Sequence, residues 1–202
     1  MHLIPWGGEE LKSRTVVTWS VMIWDENDSV TVSEPASFEM GLLEKADWKA
    51  KWITGNYSPK KKHRYPVDCF RKTFVIDNKS IRKARIYMSA CGVYEGNLNG
   101  QKIGRFVLAP GITDYRKRVQ YQTVDITNQL ANGENTLTFM LADGWYRGSV
   151  GAWGLKNYYG TETKLLAQLE ITYDDNAVEL ITTDESFTWT NDGPIRFADN
   201  KD

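Results

Sequence analysis

Apolar residues in this chain recur mostly at every second position, the period of a strand with one buried face. Leu165, Ala167, Leu169, Ile171 and Tyr173 recur at every second position, with polar Gln168, Glu170 and Thr172 between the last four. Ala84, Ile86, Met88 and Ala90 alternate with Arg85, Tyr87 and Ser89, which predicts another half-buried strand. Val17, Trp19, Val21 and Ile23 share one face of residues 15–24, and residues 29–40 return after the turn cluster at 25–28. Pro35 interrupts that return and restricts it to an edge or a bulge. Further strands are predicted over residues 69–76, 119–124, 137–141 and 178–183, with a last one starting at Phe187. Asn99-Gly100 and Asn132-Gly133 are turn signals, the first that of a type I′ hairpin with positive φ at both central residues. Residues 127–130 are the one helical candidate, a single turn.

About ten short strands with turns every eight to twelve residues predict an all-β sandwich. A jelly roll is preferred to an immunoglobulin topology for the main body, because the Cys…Trp…Cys spacing is missing and the loops are long. A two-stranded hairpin such as residues 15–40 is marginal in water by itself and must pack on something. Its pattern resembles the last two strands of a fibronectin type III-like domain, so the chain is expected to start inside a domain of a longer protein. The expected division is 1–43 for this partial domain, 44–58 for a linker whose Trp48 and Trp52 rings dock on the next domain, and 59–202 for that domain, a jelly-roll, galactose-binding-like sandwich.

Composition narrows the function classes. The chain has 202 residues, and 25 basic against 26 acidic side chains give no general pull toward nucleic acid or an anionic membrane. No apolar run approaches the roughly 20 residues that span a bilayer. Cys69 and Cys91 are too few for a disulfide framework and read as buried thiols, and neither His2 nor His63 sits at a metal-ligand spacing from them. Eight tryptophans and ten tyrosines suit both a ring-filled sandwich core and a sugar site, so they do not choose between the two. Residues 60–64 (KKKHR) read as a solvated basic loop.

Four segments in order, LNGQKIG, VLAPGITDYRKRVQYQTVDIT, GENTL and LADGWYRG, carry a resemblance. Together they resemble the N-terminal accessory domain of bacterial α-L-rhamnosidases, glycoside hydrolase family seventy-eight. GLLEKADWKAKWI is similar to that family's junction with a preceding fibronectin-like domain. The resemblance departs at Ile112, where the family often has tryptophan, and at Glu95-Gly96-Asn97, which suggests a local bulge. It implies a parent enzyme that removes terminal α-L-rhamnosyl groups with inversion, its acid and base on an (α/α)₆ barrel elsewhere. No catalytic residue carries over to this chain. The partner it implies is that barrel, with rhamnosides or rhamnose-containing polysaccharide as a second option; nucleic acid and membrane are not expected. Some relatives bind rhamnose through calcium, but that site motif has no residue-by-residue match here, so no cofactor is assigned. A bacterial source is implied, and the cytoplasm is the expected compartment.

The candidate sugar contacts are Asp143, Trp145, Tyr146, Arg147 and Trp153. A sugar offers an apolar ring face to Trp or Tyr and a rim of hydroxyls to Asp or Arg. The structural alternative makes Trp145 a core plug and pairs Arg147 with Asp143. Asp114 is expected to cap the turn begun at Pro110-Gly111. Trp153, Tyr158 and Tyr159 form a glycine-flanked aromatic loop. Two functional readings are open: a non-catalytic module packed on the barrel, and a carbohydrate-binding module. The first requires an exposed apolar patch of several hundred Å²; the second requires a concave aromatic site with convergent polar groups.

Overall fold

The computed structural model describes residues 5–60, 63–77, 79–197 and 199. Lys61 and Lys62 of the basic loop and Asn78 of the predicted 77–79 turn lie outside the described residues. The chain divides into two compact units, Met1–Lys49 and Ala50–Asp202.

The first unit is one long hairpin cut into two ribbons. Strands β1 (Val16–Trp19), β2 (Met22–Trp24), β3 (Val30–Val32) and β4 (Ala36–Glu39) pair antiparallel as β1–β4 and β2–β3. The break falls at Val21 and at Ser33 to Pro35, where the Ser33 hydroxyl accepts from the Val21 amide and the Ser33 amide donates back to the Val21 carbonyl. Burial on a single face is not what this unit shows: Trp19, Val21 and Ile23 are exposed, and so are Met22, Trp24, Val30 and Val32 on the alternate positions. A two-stranded ribbon has no second layer to cover either face, so strand period alone does not produce burial here. A 3-10 turn at Lys45–Asp47 closes the unit, with Asp47 accepting from the Ser13 hydroxyl, the Glu44 amide and Arg14.

The second unit is the sandwich. Its strands are β5 (Asp68–Ile76), β6 (Ile81–Cys91), β7 (Val93–Leu98), β8 (Gln101–Lys102), β9 (Tyr121–Asp125), β10 (Gly133–Ala142), β11 (Lys164–Tyr173), β12 (Val178–Thr182) and β13 (Thr188–Thr190). They form a five-stranded sheet, β13-β5-β10-β7-β8, and a four-stranded sheet, β12-β11-β6-β9. The pairings between these strands are antiparallel. The alternating apolar positions meet between the sheets: Ala84, Ile86, Met88, Leu165, Leu169 and Ile171 from one, and Phe70, Phe139, Leu137, Leu141 and Leu98 from the other, all nearly closed to solvent. The expected all-β jelly roll is the observed architecture.

Several local expectations are refined. The Asn99-Gly100 turn has φ of 53° and 79°, the type I′ geometry, and joins β7 to β8. No bulge occurs at Gly96, which pairs directly with Phe139 in an unbroken register. A Cβ there would lie 2.8 Å from Phe139 Cε1 and 3.1 Å from Cδ1. Glycine is therefore present because an aromatic ring covers the strand, not because the strand kinks. From Ile86 to Ala90 strand β6 is closed on both faces, since Tyr87 and Ser89 are buried as well as the predicted set; Ser89 donates to the Gln120 carbonyl at 2.6 Å. In the segment entering the unit, Ile53 rather than Trp52 packs on the core, bridging Leu165 backbone to backbone, while the Trp52 ring is exposed. Trp48 is half-buried. Cys69 and Cys91 are free and only half-buried.

Candidate functional site

The pairings Leu141–Asp68, Ala142–Val93, Lys164–Cys91 and Ser89–Tyr121 set the start of β5, β7, β9 and β11 and the end of β6 and β10 at one end of the sandwich, where the segments before β5 and β9 and the one between β10 and β11 arrive. DGWYRG, predicted as a loop, closes β10 as a single helical turn, α1 (Gly144–Arg147). Gly144 has φ of 50°, and a Cβ on it would lie 3.0 Å from the Val93 backbone nitrogen. The turn therefore depends on glycine both for conformation and for room. It places Asp143 and Arg147 four residues apart on one face, the spacing at which side chains meet.

These two are buried, at 7% and 4% exposure, and they pair. Arg147 Nε donates to Asp143 Oδ1 at 2.7 Å, and Nη2 approaches the same oxygen at 2.6 Å. Because both nitrogens converge on one oxygen, Nη2 gains Coulombic attraction without a well-directed hydrogen bond. Arg147 Nη1 donates to the Tyr57 hydroxyl at 2.7 Å, and that hydroxyl donates to Asp68 Oδ2 at 3.1 Å. Asp68, fully buried at the start of β5, also accepts from Trp189 Nε1 at 3.0 Å and Thr163 Oγ1 at 3.3 Å. The guanidinium carbon stands 4.8 Å from the Tyr65 ring centre. One buried chain of contacts thus ties α1, Tyr57, Tyr65, β5 and β13 together.

Burial sets the electrostatics of this chain of contacts. It lifts Asp68 above the ordinary carboxylate value, against the pull of the Trp189 and Tyr57 donors. It pushes the Tyr57 phenol up to about 12, against the Arg147 donor. Burial likewise lifts Asp143, with Arg147 opposing. For Arg147 burial works against the charge, and Asp143 with Tyr57 more than offsets it, so the guanidinium stays protonated.

Beside α1 a second aromatic group forms. Tyr115 packs edge-on to Tyr146 at 5.4 Å and against Tyr159 at 5.0 Å, and Tyr158 packs edge-on to Tyr159. Arg116 lies 5.0 Å from the Tyr158 ring centre and donates to its hydroxyl at 3.2 Å. Asp114 does not cap the turn at Pro110-Gly111. It accepts from the Arg116 amide and Nε, which caps the next turn, and the Tyr115 hydroxyl bonds back to the Gly111 carbonyl instead.

The five sequence-predicted contacts therefore separate by exposure. Asp143 and Arg147 are buried and committed to each other; Trp145 and Tyr146 are half-buried. Trp153 stands 91% exposed in a tight turn between Gly151 and Gly154, whose φ values are 69° and 62°. Sequence reasoning missed Tyr57, Asp68, Thr163 and Trp189 as members of the Arg147 network. Their only sequence signal was polar or aromatic character, and their meeting depends on which segments become neighbours. Also missed was the apolar rim: Phe106, Val107, Leu108 and Ile195 are all exposed and line a groove of about 230 Å³ over Val93 and Met140. Ile112, the position where the resemblance departs, is exposed too. Among the described residues no three His, Cys, Asp or Glu side chains converge as a metal site.

Comparison with known proteins places this architecture. The family model described as the alpha-L-rhamnosidase N-terminal domain matches residues 79–200. The Rha78A-like N-terminal immunoglobulin domain matches residues 1–44. An alpha-L-rhamnosidase of Alteromonas sp. (strain LOR) is 39% identical over 210 residues, covering 100% of this chain and 22% of the relative. The native α-L-rhamnosidase of Aspergillus terreus superposes with a TM-score of 0.91 at 32% identity, over 98% of this chain and 23% of that one. The Dictyoglomus thermophilum enzyme gives 0.84 at 36% identity, over 96% and 22%. The chain spans about a fifth of the length of these relatives. With its sequence matched over residues 79–200 and its fold superposed on these relatives, the chain belongs to the α-L-rhamnosidase N-terminal domain family.

Proposed function

We propose that this chain is a non-catalytic accessory region of an α-L-rhamnosidase, and that the loop end of its sandwich docks on the rest of the parent enzyme. The exposed groove formed by Phe106, Val107, Leu108 and Ile195 carries this reading. Clustered apolar side chains left in water mark contact surfaces rather than free ones. The relatives supply the occupant, since more than three quarters of their length lies outside the matched region. The buried acids support the non-catalytic half. Inverting hydrolysis needs two carboxyls roughly 6.5–9.5 Å apart with a sugar and a water between them. Asp68 and Asp143 are closed off and spend their oxygens on Trp189, Tyr57, Thr163 and Arg147.

The test is a titration of the chain against the separately produced remainder of its parent. Association is expected, weakened at least about tenfold by Val107→Asp at this 80% exposed position. Equal binding by the variant rejects the surface. Hydrolysis of nitrophenyl α-L-rhamnoside by the chain alone rejects the accessory role.

A second reading, a carbohydrate-binding module, is favoured by Trp153, whose ring is held in solvent by its glycine-flanked turn. Isothermal titration with L-rhamnose, with and without calcium, tests it. Heat that Trp153→Ala removes supports the reading, and no heat in either condition removes it.

A further inference from the structure

A second cleft, of about 420 Å³, runs along one open side of the sandwich between residues 51–56 and 184–189. It shares no lining residue with the apolar groove at the loop end. Small-molecule sites span roughly 300–1,000 Å³, so it is large enough to enclose most of a small ligand.

Both walls are fixed. The Lys51 amide donates to the Thr183 carbonyl at 2.8 Å, and Ile53 bridges Leu165 in both directions at 2.9 Å. On the other side, Asp184 accepts from the Ser186 amide at 2.9 Å, and Trp189 is held by its bond to Asp68 and by stacking on Tyr57 at 5.8 Å. A cleft with braced walls loses little conformational freedom when it fills.

The lining chemistry selects the ligand. Trp52, Phe187 and Trp189 contribute ring surface, and Trp52 remains 43% exposed. The charged lining residues are already matched, Lys51 to Glu185 at 2.9 Å within the cleft and Asp184 at 3.4 Å to Lys72, which does not line it. With each carboxylate paired to a lysine, the cleft has no unmatched charge to attract an ion. Thr54 and Asn56 also face the cleft, and among the described residues neither side chain has a hydrogen-bond partner. Indole faces beside unspent hydroxyl and amide groups, in a neutral frame, suit a ligand with one apolar face and a border of hydroxyls.

We infer that this cleft binds one neutral pyranose ring of a glycan, its C–H face against Trp52 and its hydroxyls on Asn56 and Thr54. The inference does not depend on the docking reading, and failure of the docking titration leaves it intact. L-rhamnose enters only as the probe that the family suggests.

The experiment follows the indole N–H signals of the chain by NMR during titration with L-rhamnose and with a neutral oligosaccharide of α-linked rhamnose. The Trp52 signal is expected to shift and saturate. Trp52→Ala, at an exposed position, is expected to weaken binding roughly tenfold while leaving the fold intact by circular dichroism. Asn56→Ala is expected to weaken it several-fold, and Trp153→Ala to leave it unchanged. A Trp52 signal unmoved by both sugars overturns the inference, as does a Trp52→Ala variant that binds as tightly as the parent. Loss of binding in Trp153→Ala alone would place the sugar on the 151–154 turn and reject this cleft. A response to galacturonate but not to rhamnose rejects the neutral ligand.

Discussion

Replacing Arg147 by methionine tests whether the Asp143–Arg147 pair holds the loop end together. Methionine keeps much of the hydrocarbon stem and fills irregular space, so the cavity contribution is small. The positive charge between two buried carboxyls, Asp143 and Asp68, disappears. Removing one partner of a buried pair costs about 3–5 kcal/mol, because the other charge is left without compensation. The Tyr57 hydroxyl also loses its donor at 2.7 Å, and Tyr65 loses the cation over its ring. Protonation of Asp143 limits the loss, so a value of about 3 kcal/mol at pH 7 is expected. Against a typical domain stability of about 5–15 kcal/mol, that moves a urea midpoint clearly. The assay is urea unfolding observed by tryptophan fluorescence, since Trp189 sits in the same network. Repeating it at pH 5 adds a signed test. Asp143 already sits above the ordinary carboxylate value, and without Arg147 it rises further. The unfolded chain keeps the lower value, so the variant's deficit shrinks as pH falls toward 5. The double variant Asp143→Leu, Arg147→Met is expected to recover most of the loss, as apolar replacements of buried pairs do. A single-variant deficit below about 1 kcal/mol, or a double variant less stable than the single, refutes this account of the site.

Three further outcomes are expected from the geometry. Gly96→Val drives side-chain atoms into the Phe139 ring, where even a Cβ would stand at 2.8 Å, and is expected to cost about 1–3 kcal/mol in urea unfolding. A neutral result there would restore the bulge interpretation of Glu95-Gly96-Asn97. Asn135, fully buried, takes the Ala131 amide and the Asn99 amide group on its oxygen and donates to the Ala131 and Gly133 carbonyls. Asn135→Ala strands those groups and is expected to cost about 3 kcal/mol, with faster amide exchange across residues 129–135 as the local readout. Asp47 is held at about 2, below its ordinary 3.8, by the Ser13 hydroxyl first and the Glu44 amide next. A depressed acid stabilises the fold above its unfolded pKa and loses that contribution as pH falls through the folded one. The first unit should therefore loosen between about pH 4 and pH 2, and NMR titration of the Asp47 carboxyl in Ser13→Ala should return its pKa toward the ordinary range.

The strand period was legible because it is a local property. Ala167 to Tyr173 alternates whatever lies beside it, and Asn99-Gly100 specifies its turn through backbone sterics alone. The four family segments were legible for a related reason, since turns and strand ends impose residue types at fixed spacings. Where a second layer was required, the pattern misled. In residues 15–24 it pointed to one buried face, yet Trp19, Val21 and Ile23 are exposed, because alternation describes a face and not what covers it. Gly96 reads as a kink until Phe139 is seen across the ladder. At Trp52 and Ile53, the larger ring looked like the anchor, but the register against Leu165 turns the isoleucine inward.

The candidate site divides along the same line. Asp143 and Arg147 stand four apart in the chain, so the sequence already offered them to each other as one of two readings. Tyr57, Asp68, Thr163 and Trp189 reach the same network from four separate stretches, and only strand order brings them together. The pairing of β13 with β5 puts Trp189 beside Asp68, and no local pattern encodes that neighbourhood. By itself, then, the sequence determined the all-β class, the principal turns and the family, because these depend on residues close along the chain. The tertiary structure decided which acids are closed off, which aromatics stay in solvent and where apolar surface is left open, because burial belongs to pairs of segments brought together from a distance.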